Sequence, residues 1–247
     1  MTIHEMIHSE KEIKVTLEKK LILDKELSYG PMCLQGGETD GKYGYFIMNE
    51  NGATAEVRSV IHKVDLDTWQ VVDIKRDCYF CHANDVAYDS VNHRLLVSHC
   101  NVDPHVISVV DPDTLMITNT LRIPVAHYAL AYNATRNQYV GGKSRCFDIS
   151  IMDKDFNELC VIEGEDGFVK QGFACDDKSI YCFHSSIRNN HIWIYDWNGN
   201  FIRRVKVPMV GEAEHLFRRG DHFIAGFNGT EDKTGVIYEM FFSIDEK

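Results

Sequence analysis

The residues best suited to chemistry stand together in CHANDVAYD, the stretch from Cys81 to Asp89. A histidine, an asparagine and an aspartate directly precede an alternation of apolar residues that is typical of a strand. Histidine titrates near neutral pH and ligates transition metals, so this stretch suits proton transfer or metal coordination. Cys78, Cys81 and His82 also have the CxxCH spacing of a haem-attachment or zinc-binding motif.

We favour neither haem attachment nor zinc binding at this motif. Covalent haem attachment follows export, and the first residues, MTIHEMIHSEKEIK, lack the apolar centre of a signal peptide. A zinc site would need a second pair of ligands close to Cys78 and Cys81. We therefore expect no haem, a cytoplasmic protein, and reduced cysteines that pack between structural units as small apolar side chains.

Charge and hydropathy restrict the partners of the chain. The net charge is −11, and the sequence has no cluster of Lys and Arg of the kind that a phosphate backbone demands. No segment approaches the ~20 consecutive apolar residues that a membrane helix needs. We therefore expect neither nucleic acid nor a membrane as partner, and instead a small-molecule or peptide substrate.

Two patterns recur along the chain and indicate which elements position the polar residues. Aligning the apolar alternations puts four residues in register at separations of 44, 43 and 43: Asn84, Tyr128, Gln171 and Glu214. A strand that ends in Asp and continues into a polar turn recurs at separations of 46, 42 and 43: Asp65, Asp111, Asp153 and Asp196. Such turns suit tight hairpins, and a four-stranded unit with this period is typical of β-propeller blades.

The repeats predict an all-β fold, a single five-bladed β-propeller over residues 1–247 with four-stranded blades. The blades begin near residues 29, 82, 126, 170 and 212. The fifth blade is one strand short, and the segment KKLILDKEL, residues 19–27, supplies that strand from the N-terminal side. This pairing closes the ring and leaves no open sheet edge. Residues 1–12 are predicted to form a solvated tail.

The blade pattern resembles known propeller families. VAYD followed by VVDPDT is similar to the repeats of NHL-type and cytochrome-d1-like propellers, and KQGF and HKVDLDTWQVV resemble the five-bladed plant-type glutaminyl cyclases. The resemblance to the cyclases implies cyclisation of an amide or peptide. Their active-site carboxylate stands at the end of the second strand of the first blade, where this chain has Asn49 and Glu50.

In a propeller, the first strand of each blade lines the central channel and begins at the face where the second strand ends. We therefore expect residues at these two places to surround one opening, with Gly30 representing the first blade. The predicted catalytic residues are Glu214 as base, His215 or His184 as acid, and Lys143 as a stabiliser of negative charge. The predicted substrate-binding residues are Asn84, Tyr128, Gln171, Asn49 and Asn228. As an alternative, a divalent transition metal (Zn, Mn, Fe or Ni) would be held by His82, His99, His184 and His215.

These residues predict an intracellular enzyme that performs acid–base chemistry, metal-assisted or not, on a small polar or peptide substrate. A lyase or an intramolecular cyclase fits better than a hydrolase, because no activated nucleophile is evident in the sequence. The alternative is a non-catalytic propeller that uses the same ring of side chains as a small-molecule sensor or a protein-interaction platform.

Overall fold

The computed structural model describes residues 1–23, 32–50, 57–100, 102–144, 147–164, 169–186, 188–229 and 235–244. The first elements are the helix α1 (Ile3–Ile7) and the strand β1 (Ile13–Ile22). The first blade contains β2 (Met32–Thr39), β3 (Tyr43–Glu50), β4 (Arg58–Asp65) and β5 (Gln70–Tyr79). The second contains β6 (Ala83–Asp89), β7 (Arg94–His99), β8 (Val106–Val110) and β9 (Ile117–Arg122).

The remaining blades repeat this arrangement. The third contains β10 (His127–Asn133), β11 (Gln138–Lys143), β12 (Ile149–Met152) and β13 (Glu158–Ile162). The fourth contains β14 (Val169–Cys175), β15 (Ser179–Ser185), β16 (Asn190–Asp196) and β17 (Phe201–Val207). The fifth contains β18 (Glu212–Arg219), β19 (His222–Asn228) and β20 (Gly235–Ile244), with β1 as its outermost strand.

The sheets are antiparallel meanders arranged in a ring. Their first strands contact one another in a closed circuit, from β2 to β6, β10, β14, β18 and back to β2. The chain is therefore a five-bladed β-propeller, which confirms the predicted fold class. The first strands of the second to fifth blades begin beside the predicted starts, whereas the start near residue 29 lies outside the described residues.

The ring is closed by an N-terminal strand, as the sequence predicts. β1 pairs with β20 from Ile13 opposite Ile244 to Ile22 opposite Val236. The strand begins earlier than the predicted segment 19–27, of which residues 24–27 lie outside the described part of the chain. The pairing gives β20 a partner on both sides, so the last blade presents no unpaired edge there.

The apolar core consists of layers between neighbouring blades. One layer joins the fifth blade to the first through Leu34, Phe46 and Phe217, and another joins the third to the fourth through Val140, Phe173 and others. Strands buried on both faces read as nearly continuous apolar runs, which explains the weak alternation in β3 and β15. Each fully buried Leu or Phe in these layers contributes about 1.5–3 kcal/mol of burial free energy.

The repeated aspartates make the turn between the third and fourth strands of their blades. The Oδ1 atom of Asp65 accepts hydrogen bonds from the backbone N–H groups of Asp67 and Thr68, at 3.0 and 2.9 Å. Asp111, Asp153 and Asp196 make equivalent bonds. The local turn chemistry thus sets the hairpin that the 40-odd-residue period predicts.

The N-terminal segment differs from the predicted solvated tail over residues 1–12. Ile3, Met6 and Ile7 are buried, because their spacing gives the short helix α1 an apolar face that packs against the last blade. Thr2 and Glu5 form a capping box at its start. Arg203 of β17 donates hydrogen bonds to the carbonyl oxygens of Met6, Ser9 and Lys11. The segment is therefore attached to the fourth and fifth blades. No helix in the described part of the chain has the length and apolarity to cross a membrane.

Candidate functional site

In all five blades, the ladder between the first and second strands is interrupted near the start of the first strand. The interruptions fall between Ala83 and Asp85, His127 and Ala129, Lys170 and Gly172, Ala213 and His215, and Leu34 and Gly37. The residues left out of the pairing are Asn84, Tyr128, Gln171, Glu214 and, in the first blade, Gln35 and Gly36. A bulge of this kind re-aims its side chain.

The four residues predicted to share one register therefore occupy equivalent positions in the ring. In the first blade, Gln35 and Gly36 take the place that the sequence assigns to Gly30, which lies outside the described residues. Sequence reasoning missed Gln35 because the first blade is longer than the others and its alignment is shifted. We call the end of the channel at which Asn84, Tyr128, Gln171, Glu212 and Glu214 lie the proximal mouth.

Glu214 is the most enclosed carboxyl group at the proximal mouth, with 3% of its surface exposed. Asn228 donates a hydrogen bond to its Oε1 atom at 2.6 Å and is itself fixed by the backbone of Leu34. Burial raises the pKa of Glu214 well above its usual range, and the nearby charges of Glu212 and Asp85 add to the increase. The bond from Asn228 opposes this effect only in part, so the group is suited to hold a proton near neutral pH.

Glu212, two residues earlier, has a different environment. It is exposed to water at the first position of β18, and its Oε1 atom accepts a hydrogen bond from Gln171 Nε2 at 3.2 Å. The proximal mouth thus combines an exposed and a buried carboxyl group on one strand. Two carboxyl groups in contrasting environments are the usual basis for separate acid and base roles.

Two further carboxyl groups lie along the channel. Asp85 is 2% exposed, and its carboxyl oxygens accept hydrogen bonds from the backbone N–H groups of Val86 and Leu130, at 2.9 and 3.1 Å. Burial raises the pKa of Asp85 well above its usual range despite these bonds. Glu38 lies farther along β2 and is half-buried. The removal of its carboxyl group from water raises its pKa to about 8. The axis of the ring is therefore lined by carboxyl groups that bind protons more tightly than in an unfolded chain.

Replacing Glu38 by Gln should stabilise the protein relative to wild type as the pH rises from about 5 to about 8. A carboxyl group with a raised pKa in the folded state stabilises the fold below its unfolded pKa, and this contribution is lost as the pH rises through the folded value. Gln has no proton to lose, so the difference between the two proteins should grow by at most about 1.4 kcal/mol per pH unit. Urea unfolding across this range measures it, and parallel pH profiles would contradict the raised pKa of Glu38.

The histidines predicted as acids or ligands are withdrawn from the channel. His215 is fully buried between Phe46 and Phe217, with ring centroids 5.4 and 5.8 Å away. Its burial lowers its pKa to about 3. His184 stacks on Trp193 at 4.7 Å, and burial together with the charge of Lys170 lowers its pKa to about 3. Neither histidine is placed to act as the acid beside Glu214.

The predicted metal ligands do not form a coordination sphere. His99 is buried in the second blade, its Nε2 atom lies 2.9 Å from Ser108 Oγ, and burial lowers its pKa to about 4. His82 is partly buried at a left-handed φ of 73°. Among the described residues, no group of three or more His, Cys, Asp or Glu side chains is placed to hold a metal ion.

The cysteines of the opening stretch pack as apolar side chains or lie at the turn. Cys78 belongs to the core layer between the first and second blades, and burial raises its pKa to about 11. Cys81 is partly buried at a φ of 51° in the turn before β6. Cys78 and Cys81 are both free thiols.

Three other predicted site residues have structural partners. Lys143 forms an ion pair at 3.0 Å with Glu158 of the outermost strand of its own blade, away from Glu214. Asn49 is 1% exposed, donates to the carbonyl oxygen of Ala83 at 2.5 Å and accepts from Ser59 at 2.7 Å. It therefore links the first blade to the second rather than facing a substrate. Asn228 links the fifth blade to the first and also holds Glu214.

Glu50, which corresponds in position to the cyclase carboxylate, is paired with a cation. Arg58 donates to both of its carboxyl oxygens, at 3.2 and 2.9 Å, and this pairing lowers the pKa of Glu50. The carboxylate is therefore neutralised by a neighbouring strand. Of the carboxyl groups near the predicted opening, Glu214 and Glu212 fit acid–base chemistry better than Glu50.

No protein-family model and no curated protein sequence matches the chain. Among solved structures, a glutaminyl cyclase of Myxococcus xanthus superposes with a TM-score of 0.63 at 10% identity over 96% of this chain and 100% of the cyclase chain. The tail fibre of Staphylococcus aureus phage P68 gives a TM-score of 0.64 at 12% identity over 94% of this chain, which spans only 54% of the fibre chain. A chain of the nidogen/laminin complex gives 0.53 at 9% identity, with 87% and 86% of the two chains covered. At these identities, the similarity establishes the propeller fold and no activity.

Proposed function

We propose that the protein is an enzyme that performs acid–base chemistry of the lyase or intramolecular cyclase type at the proximal mouth. The observation that carries this proposal is the carboxyl pair on β18, with Glu214 enclosed and bonded to Asn228 at 2.6 Å and Glu212 exposed two residues earlier. The substrate is a small polar molecule or the end of a peptide. It is bound by the side chains that the bulges present, namely Asn84, Tyr128, Gln171 and Gln35.

The two carboxyl groups take complementary roles in this proposal. Glu214 retains a proton near neutral pH because of its burial, so it donates that proton to a leaving group or a developing oxyanion. Glu212 accepts the proton that the substrate loses, and Gln171 orients it. The amide groups of Asn84 and Gln171 offer donors and acceptors that match an amide-containing substrate.

An intramolecular amide cyclisation has the proton requirements of this site. The nucleophile of the substrate attacks its own amide carbonyl, and the amine that leaves must receive a proton. Glu214 supplies that proton, and Glu212 removes one from the attacking group. The fold similarity to a glutaminyl cyclase supports this choice of reaction class. His215, His184 and Lys143 have no part in the proposal, since both histidines are buried and Lys143 is paired with Glu158.

Binding without turnover is the alternative function at the same mouth. It is favoured by the withdrawal of the histidines, because the remaining amide and carboxyl groups could hold a polar ligand without transferring protons. A sensor would lose affinity when these groups are changed but would show no reaction. A substitution of Glu214 therefore separates the two functions.

Glu214→Gln should lower turnover by about 10²–10⁴-fold, because Gln copies the protonated carboxyl in size and polarity but has no proton to donate. Near neutral pH the variant should be more stable than wild type, for the reason given for Glu38→Gln. The assay is ammonia release from peptides with an N-terminal glutamine, with binding of the same peptides followed by calorimetry. Glu158→Gln, at the outer strand of the third blade, is the matched control and should keep full activity.

Two results would count against the proposal. Full activity of the Glu214→Gln variant rejects Glu214 as the proton donor. Binding of the peptides by wild type without any ammonia release rejects cyclisation and favours the sensor.

A further inference from the structure

The five first strands surround a cavity at the end of the channel opposite to the proximal mouth. Each blade contributes a residue near the end of its first strand: Glu38, Tyr88, Tyr132, Cys175 and Arg218. The cavity has a volume of about 200 Å³, which is room for roughly seven water molecules. It is smaller than a site for a drug-sized ligand. We call this opening the distal mouth.

Two tyrosines, Tyr88 and Tyr132, line the distal mouth. The hydroxyl of Tyr88 lies 2.8 Å from His93 Nδ1, and the hydroxyl of Tyr132 donates to Asn137 Oδ1 at 2.8 Å. Each bond connects a tyrosine on the first strand of its blade to a residue in the following turn. The two hydroxyl groups are thus already bonded to neighbouring side chains.

The positive charge at the distal mouth is already neutralised. The guanidinium group of Arg218 forms an ion pair with the carboxylate of Asp176 and donates to the carbonyl oxygen of Gly220 at 2.7 Å. Asp176 also accepts a hydrogen bond from the Tyr181 hydroxyl at 2.9 Å. Arg218 is therefore held in the wall, and it is not an open anchor for an anionic ligand.

The remaining ionisable groups at the distal mouth favour a cation. Glu38 is the carboxyl group of the cavity wall, and Asp85 lies close enough along the channel for the two charges to interact. The thiol of Cys175 is kept protonated because burial and the surrounding acidic groups raise its pKa well above its usual range. An ammonium ion is the ligand that a carboxyl group flanked by two tyrosines favours, because it pairs with the carboxylate and is attracted to aromatic side chains.

We propose that the distal mouth binds a small organic ammonium ion, with the Glu38 carboxylate as its counterion and the rings of Tyr88 and Tyr132 as its walls. Among the described residues, no group of ligands is set for a metal ion, so the cation is an organic one. The net charge of −11 favours the approach of a cation from solution. This site is separate from the proximal mouth and does not depend on the function proposed there.

Binding at the distal mouth should be linked to proton release. The empty site holds Glu38 with a pKa of about 8, and a bound cation favours its ionised form. The groups that face Glu38 from the other blades are Asp85, Cys175 and Arg218, together with the tyrosine rings. Affinity should therefore rise about tenfold per pH unit below about pH 8 and level off above it.

Calorimetry with choline tests the proposal, with its uncharged isostere 3,3-dimethyl-1-butanol as the matched control ligand. We expect choline to bind and the alcohol not to bind. Glu38→Gln should weaken choline binding at least tenfold at about pH 9, whereas Glu212→Gln at the proximal mouth should leave it unchanged. Circular dichroism checks that both variants are folded.

The proposal is overturned if choline shows no binding at about pH 9, if the alcohol binds equally well, or if Glu38→Gln retains wild-type affinity. Should the variant fail to fold, the pH dependence of choline binding to wild type still decides. Affinity that does not change between about pH 6 and about pH 8 would exclude Glu38 as the counterion.

Discussion

Deleting residues 1–23 should abolish cooperative unfolding of the protein. The deletion removes β1, whose ladder with β20 runs from Ile13–Ile244 to Ile22–Val236, and it removes the buried side chains of α1. It also removes the ion pair between Lys20 and Glu239 at 2.8 Å. The edge of β20 would then be unpaired, and the apolar layer beneath it would be open to water. Thermal unfolding followed by circular dichroism measures the loss.

Deleting only residues 1–10 is the matched control. It keeps β1 but removes Ile3, Met6 and Ile7, each of which contributes about 1.5–3 kcal/mol when fully buried. We expect a cooperative transition at a clearly lower temperature. If the protein without residues 1–23 melts like wild type, the strand β1 does not hold the ring closed. If the shorter deletion has no effect, α1 contributes nothing to stability.

Gly226→Ala should destabilise the protein by about 3 kcal/mol or more, which is at the upper end for an overpacked core. A Cβ atom at Gly226 would lie 2.1 Å from Cε1 and 2.5 Å from Nδ1 of His215, and 2.6 Å from Cδ2 of Leu34. The imidazole is fully buried between blades and has no room to withdraw. Urea unfolding of the variant measures the loss.

A double-mutant cycle shows whether the clash with His215 is the cause. His215→Ala alone should destabilise through the cavity that it leaves, and adding Gly226→Ala to it should cost far less than in wild type. The double variant should be destabilised by at least about 1 kcal/mol less than the sum of the two single variants. Purely additive effects would show that Gly226 is required for another reason. A Gly226→Ala variant as stable as wild type would contradict the close packing itself.

The fold could be predicted because its signals are local. Asp65 and its equivalents form their turns with backbone groups two to four residues away, so each hairpin follows from a short stretch of sequence. The register of Asn84, Tyr128, Gln171 and Glu214 was visible for the same reason. The helix α1 was missed because five residues are too few to be helical alone, and Arg203 and the last blade stabilise it.

The site was harder to predict because the bulges decide which side chains enter the channel. At a bulge the regular alternation of side chains is broken, so the strand pattern alone does not say which of Glu214 and His215 faces the channel. Nothing in the sequence marks a bulge at these positions. The ring of His215 fits only because Gly37 and Gly226, on other strands, have no Cβ atom to clash with it. Lys143 was assigned to the channel by alignment, but its long side chain reaches Glu158 on the outermost strand. These outcomes depend on neighbours that are distant in sequence.

The pairing of β1 with β20 also determines the order in which the protein can be completed during synthesis. The ribosome makes β1 before the other strands of the propeller, whereas its partner β20 is made after them. The other blades can form from local hairpins while β1 is still unpaired. During this time its free edge can pair incorrectly with another exposed strand. Closure of the ring is a contact between strands far apart in the sequence and is therefore slow. The nascent chain is most vulnerable to aggregation in this interval, and here a chaperone would have its greatest effect on yield.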